Sequence, residues 1–303
     1  NFENIAEFNF MEFSKFADFF KNVKTVFFNA KEAFHKIFNA GIDFEDWGEI
    51  YDIEQLEFLL NALIRDKSLS GIYGEKIDED DSKVRISAMR IIFERQQKKL
   101  EDLPRIREIG EKLDFPMSLV LFKMEKAGVE ICPEIFAKMS EEFAGEISKI
   151  EKEIFEIAGR EFNVASPLQL SKVLFEDLGL PTKGIKKSKN GFSTGQKELN
   201  KLREYSPIIE KIEQFREFSK LKSTYVDALP KLADEKNRIH SNFAQDVTTT
   251  GRLSSSNPNL QNIPIRSELG RRIREGFVAK KGNLLVSADY SQFELRLAAV
   301  LAN

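Results

Sequence analysis

A single cysteine, Cys132, is all the thiol chemistry in this chain, so neither an intramolecular disulfide nor a cysteine-based metal site can be built from it. That scarcity fits a reducing compartment, and the cytoplasm is the expected location. No apolar run reaches membrane-spanning length and no secretory leader opens the chain, so no membrane partner is expected. A surplus of one charge is missing as well. With 31% charged residues and a formal charge of −3, the chain does not read as disordered, and it has no overall basic excess to signal nucleic acid. Tryptophan occurs once and tyrosine five times, against 27 phenylalanines, and Phe mostly at helix-spaced positions reads as core filler rather than as exposed stacking platforms.

What is present allows two or three domains, since 303 residues at 42% hydrophobic content can bury more than one core. The charge is unevenly spread. Between residues 252 and 296 lie eight basic residues and only four acids, a local basic zone on an acidic chain. The chain begins at Asn1 without a Met and stops after a helical pattern at Asn303, and both ends are expected to be cuts from something longer.

Along the first 110 residues, Phe-rich helical patterning through Phe20 precedes a strand over 24–28, a helix opening at 29–35 and a third helical pattern over 53–64, which together predict an α/β layer. A basic helix over 84–100 leads through Pro104 into a second unit. From Pro133 to Ala158 a long helix is expected, with Ile135, Met139, Phe143, Ile147, Ile150, Ile154 and Ile157 on one apolar stripe, Pro133 near its start and Gly159 past its end. Cys132, at the turn before it, is read as a small buried hydrophobe. Ser166-Pro167 opens another helix, closed by Gly179, with Leu170, Leu174 and Leu178 inward. A basic loop follows, where Lys183, Lys186, Lys187 and Lys189 surround Gly184, Asn190 and Gly191, either a solvated loop or a tip that grips phosphate. Ser206-Pro207 starts a helix with Ile208, Ile212, Phe215 and Phe218 on one side.

Two stretches carry the chemistry. In the first, Leu284, Leu285, Val286, Ser287 and Ala288 run into Asp289, after which Phe293, Leu297, Val300 and Leu301 recur at helical spacing. This predicts a strand over 284–288, a turn, and a helix, with Asp289 at the seam; Asp289 alone could simply cap that helix. The second is Thr248-Thr249-Thr250-Gly251-Arg252-Leu253-Ser254-Ser255-Ser256-Asn257-Pro258-Asn259-Leu260-Gln261-Asn262-Ile263-Pro264, a polar loop long enough to need a reason.

Asp289-Tyr290-Ser291-Gln292-Phe293-Glu294-Leu295-Arg296 resembles the first catalytic motif of family A DNA polymerases, with Phe293 where the usual form has Ile. The 248–264 stretch and Lys220-Leu221-Lys222-Ser223-Thr224-Tyr225-Val226-Asp227-Ala228-Leu229-Pro230 are similar to the same family's minor-groove loop and thumb. Asn29-Ala30-Lys31, Gly41-Ile42, Tyr51-Asp52 and Leu59-Leu60-Asn61 resemble its 3′→5′ exonuclease domain. That domain's metal-binding Asp is Ala33 here, an upstream Asp-x-Glu pair is absent, and the helix near 87–91 offers no carboxylate. The resemblance therefore implies a multidomain α+β and α/β chain: a vestigial RNase H-like exonuclease domain over 1–110, inactive in proofreading, a lead-in over 111–132, a helical thumb over 133–236, and over 237–303 the first part of a palm with an antiparallel sheet. Glu32 is then a solvated helix charge, and His35 a helix-surface or core histidine rather than a metal ligand.

The implied function is template-directed addition of deoxyribonucleotides to a primer 3′-hydroxyl. Asp289 would bridge two Mg²⁺ ions, with the main-chain carbonyl of Tyr290 as a second ligand, and Glu294 would close the sugar pocket against a 2′-hydroxyl. Gln292 and Arg296 fall in the supporting shell. Lys222, Ser223 and Thr224 would hold phosphates, Arg252 would lie near the primer end, and Asn259, Gln261 and Asn262 along the template or duplex; groove donors of this kind test pair geometry while ignoring identity. Arg266, with Arg271 to Arg274, would continue the basic floor or form salt-bridged surface. Primer-template DNA and deoxyribonucleoside triphosphates are the implied partners, and a monomer is expected. The family's second metal-binding Asp and its triphosphate-binding helix come after the point reached at Asn303, so these 303 residues alone are expected to be inactive. A non-catalytic duplex-binding protein on the same scaffold is the alternative, against which the retained Asp289 and Glu294 speak. A working exonuclease is disfavoured by Ala33.

Overall fold

The computed structural model describes residues 20–43, 46–188 and 191–302, so the Phe-rich patterning before residue 20 lies outside the described residues. Strand β1 (Lys24–Phe27) enters helix α1 (Ala30–Asn39) through Asn29, whose side chain accepts from the Glu32 N–H and closes the open helix end. Strand β2 (Glu49–Asp52) ends on Asp52, which caps α2 (Ile53–Leu60) by accepting from the Gln55 N–H. Ser68 caps α3 (Leu69–Tyr73), and Asp81 caps α4 (Ser82–Glu101). Next come α5 (Phe115–Ala127), β3 (Val129–Glu130) and the long α6 (Pro133–Ala158), with Pro133 in its first turn and Gly159 at φ 73° stopping it. Helix α7 (Pro167–Lys172), the β4 (Lys187–Ser188) and β5 (Gly191–Phe192) hairpin, and α8 (Ile208–Leu221) follow. Short strands β6 (Arg238–Ile239), β7 (Asn242–Ala244) and β8 (Ser254–Ser256) precede α9 (Glu268–Glu275) and α10 (Phe293–Ala302).

The described chain divides into two compact units, one of residues 20–128 with 240–262, the other of 129–239 with 263–302. In the first, β1 and β2 pair in parallel, Lys24 opposite Glu49 through Phe27 opposite Asp52, with α1 as the crossover. Phe34, Tyr51, Ile53, Leu56, Ile92, Phe115 and Phe122 form its buried centre. The expected α/β layer is thus present, reduced to two strands. Strand β2 escapes a reading by alternation because Ile50, Tyr51 and Asp52 are all buried.

The second unit is built on α6, α7 with the turn that follows it, and α8, which bury Ile150, Ile154, Leu170, Leu174, Ile208, Ile212 and Phe215 together. The α6 stripe is as expected except at its start, where Phe136 is fully buried and Ile135 only half. Helices α7 and α8 each run on into a five-residue π turn, Val173–Asp177 and Lys222–Val226. Strand β3 pairs antiparallel with β6, and an isolated bridge joins Ile131 to Phe277. Cys132 is half-buried, not fully buried as expected, because its thiol lies 3.1 Å from the Glu134 carboxylate at the start of α6.

The strand expected over 284–288 does not form. Leu284 and Val286 are 88% and 89% exposed, and the segment runs without regular pairing into α10, none of whose residues is buried. Apolar alternation creates a strand only where another strand supplies main-chain partners, and no described segment pairs with this one. The fold is a helix-rich mixture with four small two-stranded sheets among the described residues.

Candidate active site

In the unit formed by 20–128 and 240–262, the polar loop is folded against itself. Strand β8 pairs with β7, Ser255 opposite Phe243, and the turn between them closes where the Gly251 N–H donates to the Thr248 carbonyl at 3.1 Å, with Gly251 at φ 75°. Ser241 Oγ donates to the Pro258 carbonyl at 2.7 Å, and Ser255 Oγ accepts from the Leu260 N–H at 3.0 Å. Asn259 Oδ1 accepts from the N–H groups of Gln261 (3.0 Å) and Asn262 (3.2 Å), which winds residues 260–262 into one helical turn. Gln261 Nε2 donates to the Leu253 carbonyl at 3.0 Å, so this donor holds the loop across itself. Arg252, Asn259, Gln261 and Asn262 are all exposed.

The same unit contains a polar network that sequence reasoning missed. Glu125 on α5 is 5% exposed and is surrounded by Lys31, His35 and the main chain of Phe243. Burial works against its charge, yet hydrogen bonds from His35, Lys31 and the Phe243 N–H hold its carboxyl below the usual range. Nearby, Asp52 is buried, and burial pushes its carboxyl up to about 7 despite N–H donors from Ala30 (2.7 Å) and Gln55 (3.1 Å). Glu54 is likewise pushed to about 7, first by burial and then by the Asp246 charge, although Asn29 Nδ2 donates to it at 2.6 Å. A polar cavity of about 400 Å³ is lined by Asn29, Lys31, Glu54, Gln55, Asn242 and Asp246. The one available signal was an acid, Glu125, inside an apolar run; its partners lie up to 118 residues away. Glu32, as expected, is a surface charge, paired with Lys36 at 2.7 Å. His35 sits half-buried between Glu125 and the edge of Phe122.

In the other unit, Asp289 and Tyr290 are exposed ahead of α10, and the Tyr290 ring lies 5.8 Å from that of Phe293. Gln292 takes a left-handed φ of 53°, turning the chain into the helix, and its carbonyl accepts from the Arg296 N–H at 3.1 Å. Arg296 Nε donates to the Ser291 carbonyl at 3.1 Å, clasping the same turn. Glu294 stands in the first turn of α10, where a negative charge complements the helix dipole. Lys222 does not extend freely from the helix end: Nζ meets Asp227 Oδ2 at 2.7 Å and Ser140 Oγ at 2.9 Å. Ser223 Oγ donates back to the Ser219 carbonyl at 2.8 Å, and Thr224 is exposed. Arg266 is exposed, whereas Arg272 pairs with Glu142 and Arg274 reaches the Ile263 carbonyl at 3.4 Å, the salt-bridged surface alternative for this stretch.

The folded chain resembles the polymerase domain of a mycobacterial DNA polymerase, described as the POL domain of Pol1 from M. smegmatis in complex with DNA primer-template and dNTP: TM-score 0.81 and 29% identity over 95% of this chain and 52% of that one. Its sequence is 47% identical over 216 residues to DNA polymerase I of Synechocystis, covering 71% of this chain and 22% of the relative. It is 44% identical over 231 residues to the thermostable DNA polymerase I of Thermus thermophilus, covering 76% and 28%. The profile of DNA polymerase family A matches residues 133–303, more than half of the chain. The chain belongs to DNA polymerase family A. It spans roughly a quarter of the length of these two relatives.

Proposed function

We propose that this chain is part of a DNA-directed DNA polymerase that extends a primer 3′-hydroxyl with deoxyribonucleotides. The observation that carries the reading is the turn at the start of α10, where Gln292 and Arg296 clasp the main chain and leave the Asp289 carboxylate and the Tyr290 ring in solvent. A carboxylate facing water beside a main-chain carbonyl is a hard oxygen donor pair of the kind Mg²⁺ takes. When bound, two such ions would activate the primer hydroxyl and hold the triphosphate. Asp289 and the Tyr290 carbonyl supply only part of an octahedral shell, and among the described residues no group of three or more His, Cys, Asp or Glu converges.

Glu294, five residues beyond Asp289 and in the first turn of α10, closes the sugar pocket in this reading, with Gln292 and Arg296 holding the turn. Arg252, Asn259, Gln261 and Asn262 meet the primer-template through its minor groove, and Lys222, Ser223, Thr224 and Arg266 meet phosphates. Residues 1–110 are a vestigial exonuclease body without proofreading activity; Ala33 in place of an acid, and Glu32 turned to Lys36, support this. Residues 111–132 lead into the palm, 133–236 form the thumb, and 237–303 begin the palm.

Primer-template binding and primer extension test the proposal. The 303 residues should bind duplex in a salt-sensitive, sequence-insensitive way and incorporate nothing. A longer chain supplying further carboxylates should extend the primer and lose on the order of a thousandfold in rate on Asp289→Asn, the scale of several kcal/mol of metal-held charge. Template-dependent incorporation by the 303 residues alone would overturn the inactive part of the reading. An active Asp289→Asn variant would overturn the rest.

A further inference from the structure

Antiparallel pairing sends the N–H and C=O of alternate residues toward the partner strand and those of the intervening residues away from it. Phe243, opposite Ser255 in the β7–β8 hairpin, directs both main-chain groups outward, and both are met by side chains. Its N–H donates to Glu125 Oε1 at 2.6 Å, and its carbonyl accepts from Lys31 Nζ at 2.7 Å. Lys31 and Glu125 are themselves joined at 2.6 Å. The ion pair therefore stands where a third strand would stand, one member supplying the acceptor and the other the donor. Glu125 is fixed from two further directions, its Oε2 meeting His35 Nε2 at 2.5 Å and its carbonyl meeting His240 Nδ1 at 2.7 Å.

Register follows from this arrangement. A one-residue slip of β7 would turn the Phe243 main chain toward β8 and leave a buried carboxylate short of a donor, a costly state. Two more clamps act in the same direction: Gln245 Nε2 donates to the Asp114 carbonyl at 2.9 Å, and Lys67 grips both the carbonyl and the carboxylate of Asp246. Ser241, just before β7, and Ser255 of β8 hydrogen-bond to each other and to the main chain of Pro258 and Leu260, so the hairpin that Glu125 holds is continued through its backbone into the loop that carries Arg252, Asn259 and Asn262.

We propose that Glu125, paired with Lys31, is a positioning residue for DNA: it sets the register of the β7–β8 hairpin and thereby presents the 252–262 loop to the primer-template. This rests on the reading that the loop meets DNA. It gives the body of residues 20–128 a task independent of hydrolysis, as the base on which that loop is mounted.

The test compares the 303-residue protein with Glu125→Gln, Lys31→Met, Arg252→Ala and the Glu125→Gln/Arg252→Ala double variant. Glu125→Gln keeps size and an acceptor and removes the charge, and Lys31→Met keeps Glu125 and removes the donor, so folding of either suffices. The measurements are primer-template binding by fluorescence anisotropy and amide exchange at Phe243 and along β7–β8. Each single variant at 125 or 31 should speed exchange in the hairpin, leave α6 and α8 protected, and weaken binding roughly tenfold. In the Arg252→Ala background the same change should cost much less, since residues acting through one another are not additive. Wild-type protein that fails to bind primer-template would overturn the polymerase reading and this inference with it. Wild-type binding with unchanged hairpin exchange, unchanged affinity, or full additivity with Arg252→Ala would overturn the positioning role alone.

Discussion

Lys222 Nζ lies 2.7 Å from Asp227 Oδ2, so the one ammonium of the Lys222-Ser223-Thr224 segment is already held by a carboxylate five residues on. Burial works against the Asp227 charge, but the Lys222 and Ser140 hydrogen bonds keep its carboxyl below the ordinary range. A phosphate must compete with that partner.

Asp227→Asn should therefore strengthen duplex binding. If Lys222 then neutralises one further phosphate, the slope of log affinity against log salt should steepen by about 0.9. A titration series from low to physiological salt checks this, and an unchanged slope would exclude Lys222 from the phosphate contacts.

Protons should stabilise the unit that contains Asp52 and Glu54. Both carboxyls are raised to about 7 in the fold, from ordinary values of 3.8 and 4.5. Between roughly pH 4 and 7 the folded state binds more protons than the unfolded chain, so this contribution is complete at the acid end and is lost as pH rises through 7. Urea midpoints at pH 5 and pH 8 should show it, and Glu54→Gln should flatten the difference, with its largest gain at pH 8. Glu125 has the opposite sign: its contribution fails only on acidification below the normal carboxylate range.

Gly276 is a packing requirement. A Cβ built there would overlap the buried Phe136 ring, so Gly276→Ala must displace a side chain with no solvent to move into. A loss of about 1–3 kcal/mol is expected from such overpacking, measured by denaturant unfolding. Phe136→Leu in the same background should recover part of it.

Glu294→Ala, in a chain long enough to extend a primer, should narrow discrimination between deoxyribonucleotides and ribonucleotides by roughly tenfold or more in the ratio of kcat/KM. An unaltered ratio would assign Glu294 to the α10 dipole alone.

Much of the helical architecture was legible because a 3.6-residue stripe needs no knowledge of its partner. Helix α6, the α7 opening at Ser166 and the inward face of α8 were read from their own residues. Even there Phe136 displaced Ile135 at the entry to α6, because the Phe277 ring packs against it across the fold. What failed depended on distant chain. Residues 284–288 have the alternation of a strand but no described neighbour to pair with. The Glu125 network joins α1, α5 and β7, and its one local sign is an acid inside an apolar run, which says nothing of partners up to 118 residues away. In the polar loop the residue types were readable, whereas the closure of Gln261 onto Leu253 was not, since an amide can as well face solvent or a groove as its own main chain.

The π turn Lys222–Val226 shows how the end of α8 presents two kinds of surface at once. Its closing bond, from the Asp227 N–H to the Lys222 carbonyl at 2.9 Å, spans one residue more than an α-helical turn. That surplus residue lets Ser223 and Thr224 face solvent while Tyr225 and Val226, next in line, are buried. Removing one residue here would let the helix close normally and rotate everything after it by about 100°. The buried pair would then swing out, and the hydroxyls would follow them off their face. The segment is therefore a length standard, intolerant of a single deletion.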